Sequence, residues 1–149
     1  MAAAPRRLVD YVMDLKIRCR FEEEIGAKCG LAPREVSCLC VLYPGERVSA
    51  GELARRMGLS PSRVSRIITS LRGRGTLEEG FDDSDRRAVA IRLTPAGEQL
   101  LKKIERKKDE CETRLTGALD RAQRQAVRRG LSALSLALEG GAHEQPRDS

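Results

Sequence analysis

Between Ser62 and Thr69 the chain sets Ser62, Arg63, Ser65, Arg66 and Thr69 in close succession, with no acid among them. Arginine offers a planar fork of donors that fits guanine or phosphate bidentately, and short hydroxyls reach base edges or phosphate oxygens. Groups of this kind recognise; they do not break bonds. A second set, Asp85-Arg86-Arg87, stands in a polar turn between two short apolar runs. An arginine at a hairpin tip can enter a narrow minor groove. Asp82, Asp83 and Asp85 would repel phosphate unless an arginine takes one of them up.

Catalytic chemistry finds little support. The single histidine, His143, lies in a polar terminal stretch, which removes Ser-His and Cys-His catalysis and histidine-rich metal sites. No nucleophile has a paired base, so the expectation is a protein that is not an enzyme, with no cofactor and no bound metal.

The 149 residues suffice for about one domain. They carry 28 Lys plus Arg against 22 Asp plus Glu, a net +6 that favours an anionic partner. With no Trp, two Phe and two Tyr, stacking successive bases of a single strand is nearly excluded, so any nucleic acid bound is a duplex. No run of about 20 apolar residues occurs, and Met1 to Arg7 leads into a charged helix instead of a signal-peptide core, so a soluble, cytoplasmic protein away from membranes is expected. Five cysteines in a reducing compartment are read as thiols. Cys38 and Cys40, two apart on a helix, project about 200° from one another and do not share a ligand.

The elements that must position these groups follow from periodicity. Leu8, Tyr11, Val12, Leu15 and Cys19 predict one amphipathic helix from Leu8 to Gly26. Pro33 starts a second, Pro33 to Tyr43, with Val36, Leu39, Cys40 and Tyr43 inward. Ser49-Ala50-Gly51-Glu52 has the form of a capping box, opening a short helix through Met57 that packs Leu53, Ala54 and Met57. Gly58 gives a turn, Ser60 a cap and Pro61 a first helical position. The helix to about Arg72 then buries Val64, Ile67, Ile68 and Leu71. Opposite that stripe stand Ser62, Arg66 and Thr69, flanked by Arg63, Ser65 and Ser70. Residues 76–94 read as a hairpin around the polar turn. Pro95 starts a long charged helix, and Val127, Leu131, Leu134 and Leu138 give a last helix a narrow apolar seam.

Two short helices joined by a glycine turn and followed by a basic hairpin describe a winged helix-turn-helix. The fold class is therefore mainly α, with a small β-hairpin wing and terminal dimerisation helices. The expected layout is a flexible N-terminus (1–7), a helical dimerisation region (8–30 and 95–139), a winged helix-turn-helix (31–94) and a disordered tail (140–149). Residues 47–97 hold ten arginines and no lysine against six acids. Of those arginines, Arg55, Arg56, Arg72 and Arg74 are candidate phosphate contacts. Ser62, Arg63, Ser65, Arg66 and Thr69 are candidate major-groove readers, and Asp85, Arg86 and Arg87 form the candidate wing contact.

The run from Asp85 to Gly97, with its D-R-R, a β segment and then Leu93-Thr94-Pro95-Ala96-Gly97, resembles the wing and following helix start of MarR-type transcription regulators. Gly30-Leu31-Ala32-Pro33, Glu52-Leu53-Ala54 and Leu59 to Ser65 resemble the family's corresponding positions, so the likeness covers roughly residues 8 to 138. It implies a homodimer joined by terminal helices, a palindromic double-stranded DNA operator, and a repressor relieved by a ligand or by thiol oxidation. One departure is Gly75 to Gly80, where Glu78 and Glu79 stand in a stretch that commonly carries an arginine. A small organic effector is the default expectation. The alternatives are a switch by cysteine oxidation or metal binding, with Cys19, Cys29, Cys38 and Cys111 as candidate sensor thiols, or a protein-interaction module without DNA binding. Cys19 and Cys40 read on periodicity as core thiols.

Overall fold

The computed structural model describes residues 6–81 and 89–141. In chain order these form α1 (Leu8–Arg18), α2 (Phe21–Cys29), α3 (Pro33–Cys40), α4 (Ala50–Met57), α5 (Pro61–Gly73), β1 (Leu77–Phe81), β2 (Val89–Leu93), α6 (Pro95–Gly117) and α7 (Arg121–Gly141). The architecture is the expected mainly helical winged helix-turn-helix. The strands pair antiparallel, with Leu77 opposite Leu93 and Phe81 opposite Val89. Val48 adds a third rung, exchanging backbone hydrogen bonds with Ile91 at 3.0 and 2.8 Å. The described residues divide into two compact units between Lys108 and Asp109.

In the first unit one core joins α2 to α6. It is built from Ile25, Val36, Leu39, Leu53, Val64, Ile68, Leu71, Leu77, Ile91, Leu93, Leu101 and Ile104 among others. Burying a side chain of this size stabilises by roughly 1.5–3 kcal/mol. The stripe predicted for α5 is inside as expected, apart from half-buried Ile67. The expected boundary between a dimerisation region and a separate DNA-binding region does not follow the packing, because α2 and the first turns of α6 contribute to this same core.

Several local expectations are corrected. The single helix from Leu8 to Gly26 is two helices, broken at Cys19 and Arg20. A straight continuation of the Leu8–Leu15 stripe would bring Glu22 inward and leave Phe21 about 130° and Ile25 about 90° to one side; the break lets Ile25 reach the core. In the single chain α1 buries nothing, and Leu8, Val9, Tyr11, Met13, Leu15 and Ile17 are all exposed. Helix α3 stops at Cys40, and the next turn tightens through bonds from Val41 N–H to the Cys38 carbonyl and from Leu42 N–H to the Leu39 carbonyl. Leu42 is buried and Tyr43 exposed, and Cys38 is the fully buried core thiol, with Cys40 half-buried against the core. At the N-terminus Arg6 pairs with Asp14 and Arg7 with Asp10, so these two residues are held against α1. Helix α7 runs to Gly141, past the expected start of a disordered tail; it buries no residue of its own, and Val127, Leu131, Leu136 and Leu138 are exposed.

The junction between α5, the wing and α6 fixes the module. Gly75 turns the chain with φ 70°, a left-handed conformation that glycine adopts without steric cost. The Thr76 N–H and hydroxyl both donate to the Leu71 carbonyl, at 3.0 and 2.9 Å, closing the end of α5. Thr94 then ties both sides together: its hydroxyl donates to the Gly75 carbonyl at 2.6 Å and accepts the Gly97 N–H at 3.0 Å, capping α6. Gly97 is needed for the close approach, because a Cβ there would overlap the Thr76 carbonyl oxygen and crowd Leu93. Gly97→Ala is therefore expected to destabilise the fold by about 1–3 kcal/mol, as other overpacked contacts do, read as a lowered midpoint in thermal or urea unfolding; an unchanged midpoint would show that α6 can shift away freely.

Candidate nucleic-acid interface

Helix α4 is started and fixed by local chemistry. Ser49 Oγ accepts the Glu52 N–H at 3.1 Å, a cap of a kind worth about 1 kcal/mol. The other half of the expected capping box is absent: the Glu52 carboxylate faces Arg55 at 2.7 Å and Arg56 at 3.0 Å instead. Gly58 ends α4 with φ 60°, and its N–H and that of Leu59 close on carbonyls of the last turn. Pro61 then occupies the first turn of α5, while Ser60 stands at the cap position without a side-chain bond to the helix backbone, its hydroxyl meeting that of Ser62 at 3.3 Å.

On α5 the outward residues are those expected. Ser62, Arg63, Ser65, Arg66 and Thr69 are all exposed. The Thr69 hydroxyl donates back to the Ser65 carbonyl at 2.9 Å. Among the described residues Arg63 and Arg66 make no hydrogen bond or ion pair, so two full positive charges project from one helix face with no acid on it.

The four arginines expected to touch phosphate are engaged differently. Arg55 pairs with Glu52. Arg56 reaches Glu46 at 2.8 Å, Glu52 at 3.0 Å and the Val41 carbonyl at 3.0 Å, a brace from α4 to the α3–α4 connection that raises its own pKa. Arg72 pairs with Glu79 of β1 at 2.7 Å. Arg74 donates to the Gly30 carbonyl at 2.6 Å and approaches Glu35 at 3.3 Å. On the wing, Arg92 pairs with Glu78 directly across the ladder. Asp85, Arg86 and Arg87 lie outside the described residues.

Sequence reasoning missed Glu35. The residue is 4% exposed, yet its side chain accepts from the Ala32 N–H at 2.8 Å and the Ser70 hydroxyl at 2.5 Å, with Arg74 beside it. A buried carboxylate is tolerated when it is paired and hydrogen-bonded. This one links the start of α3 to the last turns of α5. The available signal was a glutamate three residues after Ala32, the place from which a side chain reaches back to a helix start.

The candidate sensor thiols separate by environment. Cys38 is fully buried, and burial pushes its thiol up to about 12, so it leaves the sensor set: a thiol that resists ionisation is a poor nucleophile. Cys19, expected from periodicity to be a core thiol, is exposed in the single chain, as are the apolar residues of the α1 stripe it was expected to complete. Cys29 is half-buried against the core. Cys111 is half-buried, with the Arg114 guanidinium 3.3 Å from its sulfur. Among the described residues no group of three or more His, Cys, Asp or Glu side chains is arranged to hold a metal ion, and no helix is long and apolar enough to cross a membrane.

A helix pair carrying an outward arginine and hydroxyl face, followed by a hairpin bonded to a third rung, defines a winged helix-turn-helix protein. Residues 30–88 match the family model described as MarR family. The uncharacterized HTH-type transcriptional regulator YhjH of Bacillus subtilis is 32% identical over 81 residues, 54% of this chain and 46% of that protein. The chain thus spans about half the length of that relative. The fold is similar to that of wild type MarR in its apo form from E. coli, with a TM-score of 0.74 at 16% identity over 89% of this chain and 98% of the other. It is also similar to BpsR of Bordetella bronchiseptica, whose DNA binding is regulated by 6-hydroxynicotinic acid, with a TM-score of 0.68 at 23% identity over 89% and 98%. The likeness to the MarR family thus lies in the winged-helix segment of the chain.

The Glu52 bonds carry a pH signature. Arg55 and Arg56 hold its carboxyl down to about 2. A carboxylate with a depressed folded pKa contributes stability that is present above its ordinary value and lost as pH falls toward the folded one. Thermal melts of the wild type and Glu52→Gln should therefore differ near neutral pH and converge between about pH 4.5 and 2; a constant gap across that window would exclude the effect.

Proposed function

We propose that this chain is a sequence-specific, double-stranded-DNA-binding transcriptional regulator, a non-enzymatic repressor acting in the cytoplasm and released by a small ligand. The observation that carries the proposal is the outward face of α5, where Arg63 and Arg66 stand without acids and without partners among the described residues. A solvated helix face ordinarily mixes signs, and its long charges find neighbours at i,i+4. This face suits the major groove, with arginine forks for guanine and hydroxyls for bases or phosphates.

Ser62, Arg63, Ser65, Arg66 and Thr69 are the proposed base-reading set, with Arg86 or Arg87 reaching the minor groove from the wing. Arg55 is the phosphate contact that needs least rearrangement, since its side chain is largely exposed beside Glu52. The exposed apolar residues of α1 and of α7 support a homodimer, which would present two recognition helices to a palindromic operator. The ligand-regulated DNA binding of BpsR supports an organic effector here.

Fluorescence anisotropy with genomic duplex fragments tests this, with salt varied from low to moderate. Affinity should fall steeply with salt, in proportion to the phosphates neutralised. Arg66→Ala is expected to cost about 1–3 kcal/mol and to relax sequence preference, whereas Arg87→Ala should weaken binding on specific and scrambled duplexes alike. Salt-insensitive binding, or an Arg66→Ala protein with wild-type affinity and preference, would defeat the assignment.

A further inference from the structure

Arg72 lies on the recognition face. It follows Ser65 by seven residues, two helical turns, and so falls within about 20° of it around the helix axis. The outward stripe Ser62, Ser65, Thr69 thus continues to an arginine, which should be a phosphate-binding group at the C-terminal end of α5. The structure gives that arginine a different partner. Its Nη1 lies 2.7 Å from Glu79 Oε2 on β1, and both side chains remain partly exposed. Glu79 is held for this task by the ladder, its backbone opposite Ile91, and Ile91 is anchored in the core and bonded to Val48. The junction at Gly75 sets α5 and β1 in register, so the carboxylate is delivered to the guanidinium by the fold.

A carboxylate oxygen at this distance satisfies a guanidinium much as a phosphate oxygen does. We propose that Glu79 is an internal stand-in for a DNA phosphate: it keeps Arg72 off the duplex, lowering affinity and the number of counterions released on binding. This proposal rests on the DNA-binding function inferred above and adds an affinity-setting residue to it. The pair is exposed enough to exchange, because ion pairs at the surface are weak and salt-screened. Its consequence is a regulator tuned below the affinity its arginines would otherwise reach, and so more readily displaced from DNA.

The test is a mutant cycle read by anisotropy on one duplex across a salt series, with wild type, Glu79→Gln, Glu79→Ala, Arg72→Ala and the Glu79→Gln/Arg72→Ala double variant. Both Glu79 substitutions are expected to tighten binding about twofold to fivefold, the range that freeing one exposed pair allows. They should also steepen the salt dependence by about 0.9 in the log–log slope, one added phosphate contact. The gain in affinity and slope should vanish in the double variant. A gain that persists without Arg72 would mean that Glu79 acts only through general repulsion, and an unchanged slope in both Glu79 variants would mean that Arg72 does not reach phosphate; either result overturns the proposal. Failure of the parent function is separate, because it would appear as wild-type protein with no salt-dependent binding to any duplex. Circular dichroism of each variant distinguishes altered binding from altered folding.

Discussion

The geometry of the binding module depends on one close contact, the approach of the first turn of α6 to the backbone where α5 gives way to the wing. Thr94 bonds to Gly75 on one side and caps α6 through Gly97 on the other, and Gly97 lets the helix come against the Thr76 carbonyl. Helix α5, the hairpin and α6 therefore meet at four residues. An α5 displaced by even about 1 Å would move Arg63 and Arg66 by more than the few tenths of an ångström that a hydrogen bond tolerates. The outward side chains of α5 are thus held in place by residues that lie at the far end of the helix and beyond it.

Around that junction the charges are sorted. The module is rich in arginine, yet four of its eight described arginines are committed to glutamates of neighbouring elements: Arg56 braces α4, Arg74 closes on Glu35 and Gly30, and Arg72 and Arg92 lie against the wing. The net positive charge of the chain is therefore a poor guide to where an anion would bind. What distinguishes Arg63 and Arg66 is the absence of a carboxylate within reach among the described residues, and that depends on tertiary placement.

Much of this was legible in the sequence because the relevant signals are local. The stripe Val64, Ile68 and Leu71, the Pro61 start and the Gly58 stop define α5, and with it which side chains face outward. The hairpin followed from alternation around a polar turn, and Thr94 with Gly97 from a motif. Other features depended on long-range partners. The break at Cys19 and Arg20 answers to the core that Ile25 must join, and Cys38 is buried because the inward face of α3 runs through Glu35, Cys38 and Leu39. The pairing of Arg72 with Glu79 and of Arg74 with Glu35 required knowing which elements become neighbours. A run of arginines cannot disclose that.

Glu35 has a consequence for how this sequence can change. Its carboxylate is enclosed among Ala32, Ser70 and Arg74, groups drawn from three places in the chain. Removing Arg74 alone would leave an enclosed negative charge with less to offset it, and removing Glu35 alone would strand the Ala32 N–H and the Ser70 hydroxyl without their acceptor. Positions 35 and 74 therefore constrain one another across 39 intervening steps of chain, with Ser70 as a third party. In a lineage of such sequences these sites should drift as a set, while the paired arginines at the surface drift singly.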